Sequence, residues 1–211
     1  MIFFIFICIH PVNPLILKIL IKNRIAIFAS GSGSNAEEIV TYFNGHPSIA
    51  VELVLSNNAN AFVLERAKRL GIPSLVFSKE EFGNSAYILH ILGQKNITHI
   101  VLAGFLWLIP SYLIQAYPDK IINIHPALLP KFGGKGMYGL KVHEAVKLAL
   151  EKETGITIHL VNEKYDEGKI LFQGRCIVEP HFTPSEIAAC VQKLEYEHYS
   201  KVIEEWITRD N

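Results

Sequence analysis

No two cysteines in this sequence stand as Cys-x-x-Cys, and there are only three, Cys8, Cys176 and Cys190. An odd, widely spaced set supplies neither a disulfide framework nor a zinc ribbon. A reducing cytoplasm is the simplest setting for it. Surplus charge is missing too: Lys+Arg 20 is balanced by Asp+Glu 20. That argues against a nucleic-acid partner, which favours a basic surplus. Long apolar runs are nearly absent. Met1 to Ile9, MIFFIFICI, is apolar throughout, but His10, Pro11, Asn13 and Pro14 then break it. A membrane-spanning helix needs roughly 20 apolar residues, and a signal peptide needs a basic start and a small-residue cleavage site. The expectation is that residues 1–23 are an extension outside the fold, with a weak membrane anchor as the lesser reading. Residues 24–211 are expected to form a single domain, since no repeat, low-complexity segment or linker divides them. Half of the 211 residues are hydrophobic, enough for one α/β domain with its own core.

From Arg24 onward, short β-rich runs alternate with amphipathic helical runs. Strands are expected at 25–29, 51–55, 74–77, 99–103 and 120–124, and helices at 36–43, 61–70, 79–95 and 110–117. Gly71 is a C-terminal stop for the second helix. Ser78-Lys79-Glu80-Glu81 has the form of a capping box opening the third. After the loop His125 to Gly139, a helix is expected at 141–150, strands at 156–161 and 170–178, and a long closing helix to about 207. That helix starts at a second capping box, Thr183-Pro184-Ser185-Glu186. The pattern reads as an α/β fold: a doubly wound, mostly parallel sheet with an antiparallel late edge.

ASGSGSN, residues 29–35, follows the apolar run Ile25 to Phe28. Gly31-x-Gly33-x-x-Ala36 matches the loose dinucleotide fingerprint. The acidic residue expected at the end of the next strand is absent, because Ser56-Asn57-Asn58 stands there. No Lys follows the glycines, so the P-loop reading is weaker still. What remains is a helix start whose free N–H groups suit an anion, with Ser34 and Asn35 as added donors. The plainer alternative is a tight strand-to-helix turn. Asn123 and His125 lie two apart at the end of an apolar strand, so they share a face. An amide can stabilise a developing oxyanion there while an imidazole moves a proton. Asp166, in NEKYDEGKIL, is either part of a turn or a carboxylate that charges the histidine. His125, His143 and His159 lack metal-site spacing on any one element, and no metal is expected.

RIAIFASGSGSN, VLAGFLWLIPSYL, IINIHPALLPKF and HLVNEKYDEGKILFQ occur in that order. Together, from about Arg24 to Trp206, they resemble the phosphoribosylglycinamide formyltransferases, the folate-dependent formyltransferases of purine biosynthesis. NIHPALLP belongs to the wider formyltransferase family, while GSGSN and the compact ending favour the glycinamide ribonucleotide branch. The resemblance implies a formyltransferase-like, Rossmann-type fold. It implies transfer of a formyl group from 10-formyltetrahydrofolate, as co-substrate, to the amine of glycinamide ribonucleotide. Asn123, His125 and Asp166 match the family's catalytic trio. Gly33, Ser34 and Asn35 match its ribonucleotide-phosphate loop, and Glu195 its substrate-contacting glutamate. Leu106, Trp107, Leu108 and Ile109, with Asn123 and with Asn162, Glu163, Lys164, Tyr165 and Asp166, match segments that line its folate pocket.

There are departures from that pattern. Asn84 stands near the place of an arginine that helps hold the folate, Lys141 replaces an earlier histidine while His143 is kept, and Trp107 stands where some members have a basic residue. The partners implied are small molecules, with no nucleic acid and no membrane; the oligomeric state is not implied. Methionyl-tRNA formyltransferase would need a further C-terminal domain and a basic surface. Formyltetrahydrofolate deformylase would need an N-terminal regulatory domain. A non-catalytic nucleotide-binding module would leave Asn123, His125 and Asp166 without a shared purpose.

Overall fold

Strand residues alternate between two faces, and in the first strand both faces are apolar. Ile25 and Ile27 point one way, Ala26 and Phe28 the other, and all are fully buried. Such a strand needs cover on both sides, which is the condition for a sheet sandwiched between helices. The computed structural model describes residues 23–209 and has this form. The strands are β1 (Asn23–Phe28), β2 (Ile49–Ser56), β3 (Ser74–Val76), β4 (His99–Leu102), β5 (Ile121–His125), β6 (Glu153–Leu160) and β7 (Ile170–Ile177). They form one seven-stranded sheet in the order β3-β2-β1-β4-β5-β6-β7. Pairings from β3 through β5 are parallel, and β5–β6 and β6–β7 are antiparallel. The antiparallel late edge is as expected from the two closely spaced strand signals.

The helices are α1 (Ser34–Tyr42), α2 (Phe62–Arg69), α3 (Lys79–Gly83), α4 (Ser85–Gln94), α5 (Ser111–Ala116), α6 (Leu140–Leu148) and α7 (Pro184–Arg209). Helices α1, α2 and α7 bury Ile39, Val63 and Ile203 against Ile25, Ile27, Val101 and Ile122. Helices α3, α4 and α5 bury Phe82, Ile88, Leu92 and Leu113 against Ala26, Phe28, Leu55 and Ile100. Among the described residues, no helix is long and apolar enough to cross a membrane.

Two expectations need correction. The helix read from 79 to 95 is two helices, broken at Asn84. The Ser78 capping box forms in full, but Asn84 leaves helical conformation and its side chain accepts the N–H groups of Ala86 and Tyr87. An asparagine competing for backbone donors is a strong helix starter, and here it restarts one. Asn23, expected to lie in the extension, belongs to the fold: it is buried in β1 and pairs with Ile49. The expected extension and membrane anchor, residues 1–22, lie outside the described residues.

Candidate active site

The strand order reverses between β1 and β4, the switch point at which open α/β sheets hold ligands. Beyond the strand ends lies a cleft of about 920 Å³. The Gly31–Asn35 turn after β1 lines it. Gly104–Ile109, after β4, forms a wall, fastened to the turn by Ser30 N–H donating to the Gly104 carbonyl (3.0 Å) and Leu106 N–H donating to Ser30 Oγ (3.0 Å). Gly33 has φ +73°, and a Cβ there would sit 2.4 Å from the Val63 side chain. Only glycine allows both the left-handed turn and that approach.

The end of β5 carries Asn123 and His125, and its register with β6 sets them opposite His159 and Thr157. Thr157 braces the segment beyond His125: its hydroxyl donates to the Ala127 carbonyl (2.7 Å) and accepts Leu129 N–H (2.9 Å). His125 Nε2–H donates to the Phe132 carbonyl at 2.8 Å, so Nδ1 carries the lone pair of the neutral ring. Nδ1 faces Asp166 Oδ2 at 3.5 Å. Asp166, from the loop between β6 and β7, adopts φ +56° and accepts Gly134 N–H on Oδ2 at 2.9 Å. His159 Nδ1–H donates to the Leu160 carbonyl (2.8 Å), which leaves its Nε2 to accept from Asn123 Nδ2 (3.1 Å). The same Asn123 nitrogen is 3.5 Å from Asp166 Oδ1, so its second N–H has only a weak partner.

Burial lowers the pKa of His125, and the Asp166 charge and the Phe132 carbonyl only partly offset it. A cationic His125 is the expectation from placing a carboxylate beside it, but desolvation outweighs that charge and the ring is neutral at neutral pH. Burial pushes Asp166 up, but the neighbouring His159 and His125 rings and the Gly134 N–H together hold it below the usual carboxylate value. Asp166 is therefore ionised, a fixed negative charge beside a ring that can gain a proton. Glu195, on α7, is held above its ordinary value by burial, and accepts Asn35 Nδ2 at 2.9 Å.

The cleft brings together Asn123, His125, Asp166, Gly33, Ser34, Asn35, Glu195, Leu106–Ile109, Lys164 and Tyr165. Asn162 and Glu163 are not among its lining: Asn162 instead bonds the Glu167 carbonyl and Lys164 N–H, shaping the loop. Asn84, an N-cap between α3 and α4, is also outside the lining. His159, which the sequence marks only as a histidine without metal-site spacing, lines the cleft as well. Its signal was present in the alternation Thr157, His159 along β6, but only the antiparallel register sets it against Asn123. Gly134 and Gln192 also line the cleft, from a loop and a helix face whose directions sequence patterning leaves open.

Gly168 ties this geometry to the fold. A Cβ there would lie 1.6 Å from the Leu160 carbonyl, the acceptor that sets the His159 tautomer. Gly168→Ala is expected to cost about 3 kcal/mol, since backbone must move, and to lower activity as well. Urea unfolding beside steady-state rates checks both; unchanged stability would refute the steric reading.

The model of the Formyl transferase family matches residues 23–203. Phosphoribosylglycinamide formyltransferase, chloroplastic, of Arabidopsis thaliana is 41% identical over 188 residues, 86% of this chain and 64% of that protein. The phosphoribosylglycinamide formyltransferase of Bacillus subtilis is 37% identical over 89% of this chain and 96% of that one. The solved phosphoribosylglycinamide formyltransferase of Bacillus halodurans superposes with a TM-score of 0.80 at 33% identity, covering 90% of this chain and 97% of that one. This chain thus spans nearly all of the bacterial relatives but less than two thirds of the plant one.

Proposed function

This chain belongs to the formyl transferase family, and on that premise we propose that it transfers a formyl group from 10-formyltetrahydrofolate to the amine of glycinamide ribonucleotide. One observation carries the proposal. Asn123, His125 and Asp166 converge in a single cleft that a glycine-rich turn at a helix start also lines. An acceptor anchored by its phosphate at Gly33, Ser34 and Asn35 would extend its amine toward that trio. The folate would lie against Leu106, Trp107, Leu108 and Ile109, with the Lys164–Asp166 segment opposite.

The amine nitrogen attacks the formyl carbon, and its carbonyl oxygen takes up negative charge. The Asn123 N–H that points only weakly at Asp166 is free to turn to this oxyanion. Neutral His125 receives the attacking amine's proton, directly or through a water, and becomes a cation beside Asp166. It then returns the proton to the folate nitrogen as the carbon–nitrogen bond breaks. The products are the formylated ribonucleotide and tetrahydrofolate, with no net proton change at the trio. Holding both reactants in one cleft supplies much of the acceleration. The neutral charge balance and the sparse cysteines are in keeping with a cytoplasmic enzyme.

Spectroscopic measurement of formylfolate consumption, with and without glycinamide ribonucleotide, tests this reading. Consumption should depend on the ribonucleotide. Equal consumption without it would make the protein a hydrolase, and none under either condition would overturn the proposal.

A further inference from the structure

We propose that Arg66, outside the cleft, is the positioning residue that aims the phosphate-binding turn. The inference rests on the phosphate reading of Gly31–Asn35 given above. Two successive carbonyls of the turn are tied from behind by α2. Val63 N–H donates to the Gly31 carbonyl at 3.1 Å, and Arg66 Nε–H donates to the Ser32 carbonyl at 2.9 Å. Both peptides are trans, and in a planar trans peptide the carbonyl and the following N–H point in opposite directions. Anchoring Gly31 and Ser32 carbonyls toward α2 therefore turns the N–H groups of Ser32 and Gly33 away from it, toward the cleft that both residues line. Neither N–H has a hydrogen-bond partner among the described residues.

Arg66 is itself held from two sides. Its guanidinium pairs with Glu37 in the first turn of α1, and lies 5.0 Å from the centre of the Phe62 ring. Arg69 pairs with the same carboxylate. The arginine so joins α2, the turn and the first turn of α1 in one network. Gly33 packing without space against Val63 closes the same contact. A methionine at 66 would fill the volume but donate nothing, leaving the Ser32–Gly33 peptide free to rotate its N–H out of the cleft.

The test uses the full chain, labelled with ¹⁵N and titrated with inorganic phosphate. In the wild type the Ser32 and Gly33 amide signals should both move. In Arg66→Met the Gly33 response should largely vanish while that of Ser32 persists, because Val63 still holds the Gly31 carbonyl. KM for glycinamide ribonucleotide should rise about tenfold, with kcat and KM for formylfolate changed by less than about twofold, the loss of one hydrogen bond to a charged ligand. Arg66→Lys, whose ammonium can still donate to Ser32, should regain most of the affinity. If Arg66→Met does not fold, Arg66→Leu, which likewise carries no donor for the Ser32 carbonyl, is read the same way. An unchanged Gly33 response, or equal losses in kcat and both KM values, would overturn the assignment. A wild type whose turn amides ignore phosphate would remove the phosphate reading itself, and this inference with it.

Discussion

His125→Ala should lower turnover by about 10²–10⁴, the range for losing a positioned general base, with little change in either KM. In the neutral ring Nε2–H is committed to the Phe132 carbonyl, so Nδ1 is the nitrogen free to take a proton. It is also the nitrogen that faces Asp166, so the cation formed on proton uptake appears where a negative charge already sits. Alanine removes both functions. Asn123→Ala should cost on the order of 10²–10³, the range for one oxyanion donor, and it also takes away the partner of His159 Nε2. These roles belong to the transition state, so losses fall on kcat rather than on binding. Circular dichroism must show both variants folded, because each change is in or beside a buried pair. Near-wild-type turnover in a folded His125→Ala protein would sink the mechanism.

Asp166→Asn should lower turnover by roughly 10²–10³ and move the acid limb of the pH–rate profile downward. The sign follows from the balance at His125. Burial pushes its pKa down, and the Asp166 charge pushes it up without winning. Removing that charge leaves burial less opposed, so the pKa drops further and the neutral, active ring survives to lower pH. The slower rate and the wider acid range therefore come together, a pairing that a general loss of structure would not produce. Stability carries a second signature. The folded-state pKa of Asp166 is depressed, so its carboxylate stabilises the fold above the unfolded-state pKa. That contribution is lost as pH falls through the folded-state value. Asp166→Asn should flatten this part of acid unfolding, measured by urea midpoints across pH. An acid limb shifted upward instead would mean that the carboxylate does not act through His125.

Much of the molecule was legible in the chain because its signals are local. Apolar runs such as Ile25–Phe28, the glycine stop at Gly71 and the boxes at Ser78 and Thr183 depend on neighbours within a few residues. So does the shared face of Asn123 and His125, which follows from strand alternation. Asn84 is a local signal of the same kind: its side chain caps and restarts a helix within the run from 79 to 95 that amphipathic spacing alone joins into one. The remaining features needed distant chain segments. Asp166-Glu167-Gly168 reads as an ordinary turn; its carboxylate faces His125 because the loop after β6 folds back and Gly134 N–H catches it. His159 reads as a strand histidine, and becomes a partner of Asn123 only through an antiparallel register. The charge state of His125 depends on how completely the cleft walls remove water from it, a quantity no short motif carries. The direction of the turn's N–H groups depends in the same way on Val63 and Arg66, from a helix one strand further along the chain. Element type is a short-range property of the backbone; burial, register and the aim of a polar group are set by what the rest of the chain brings alongside.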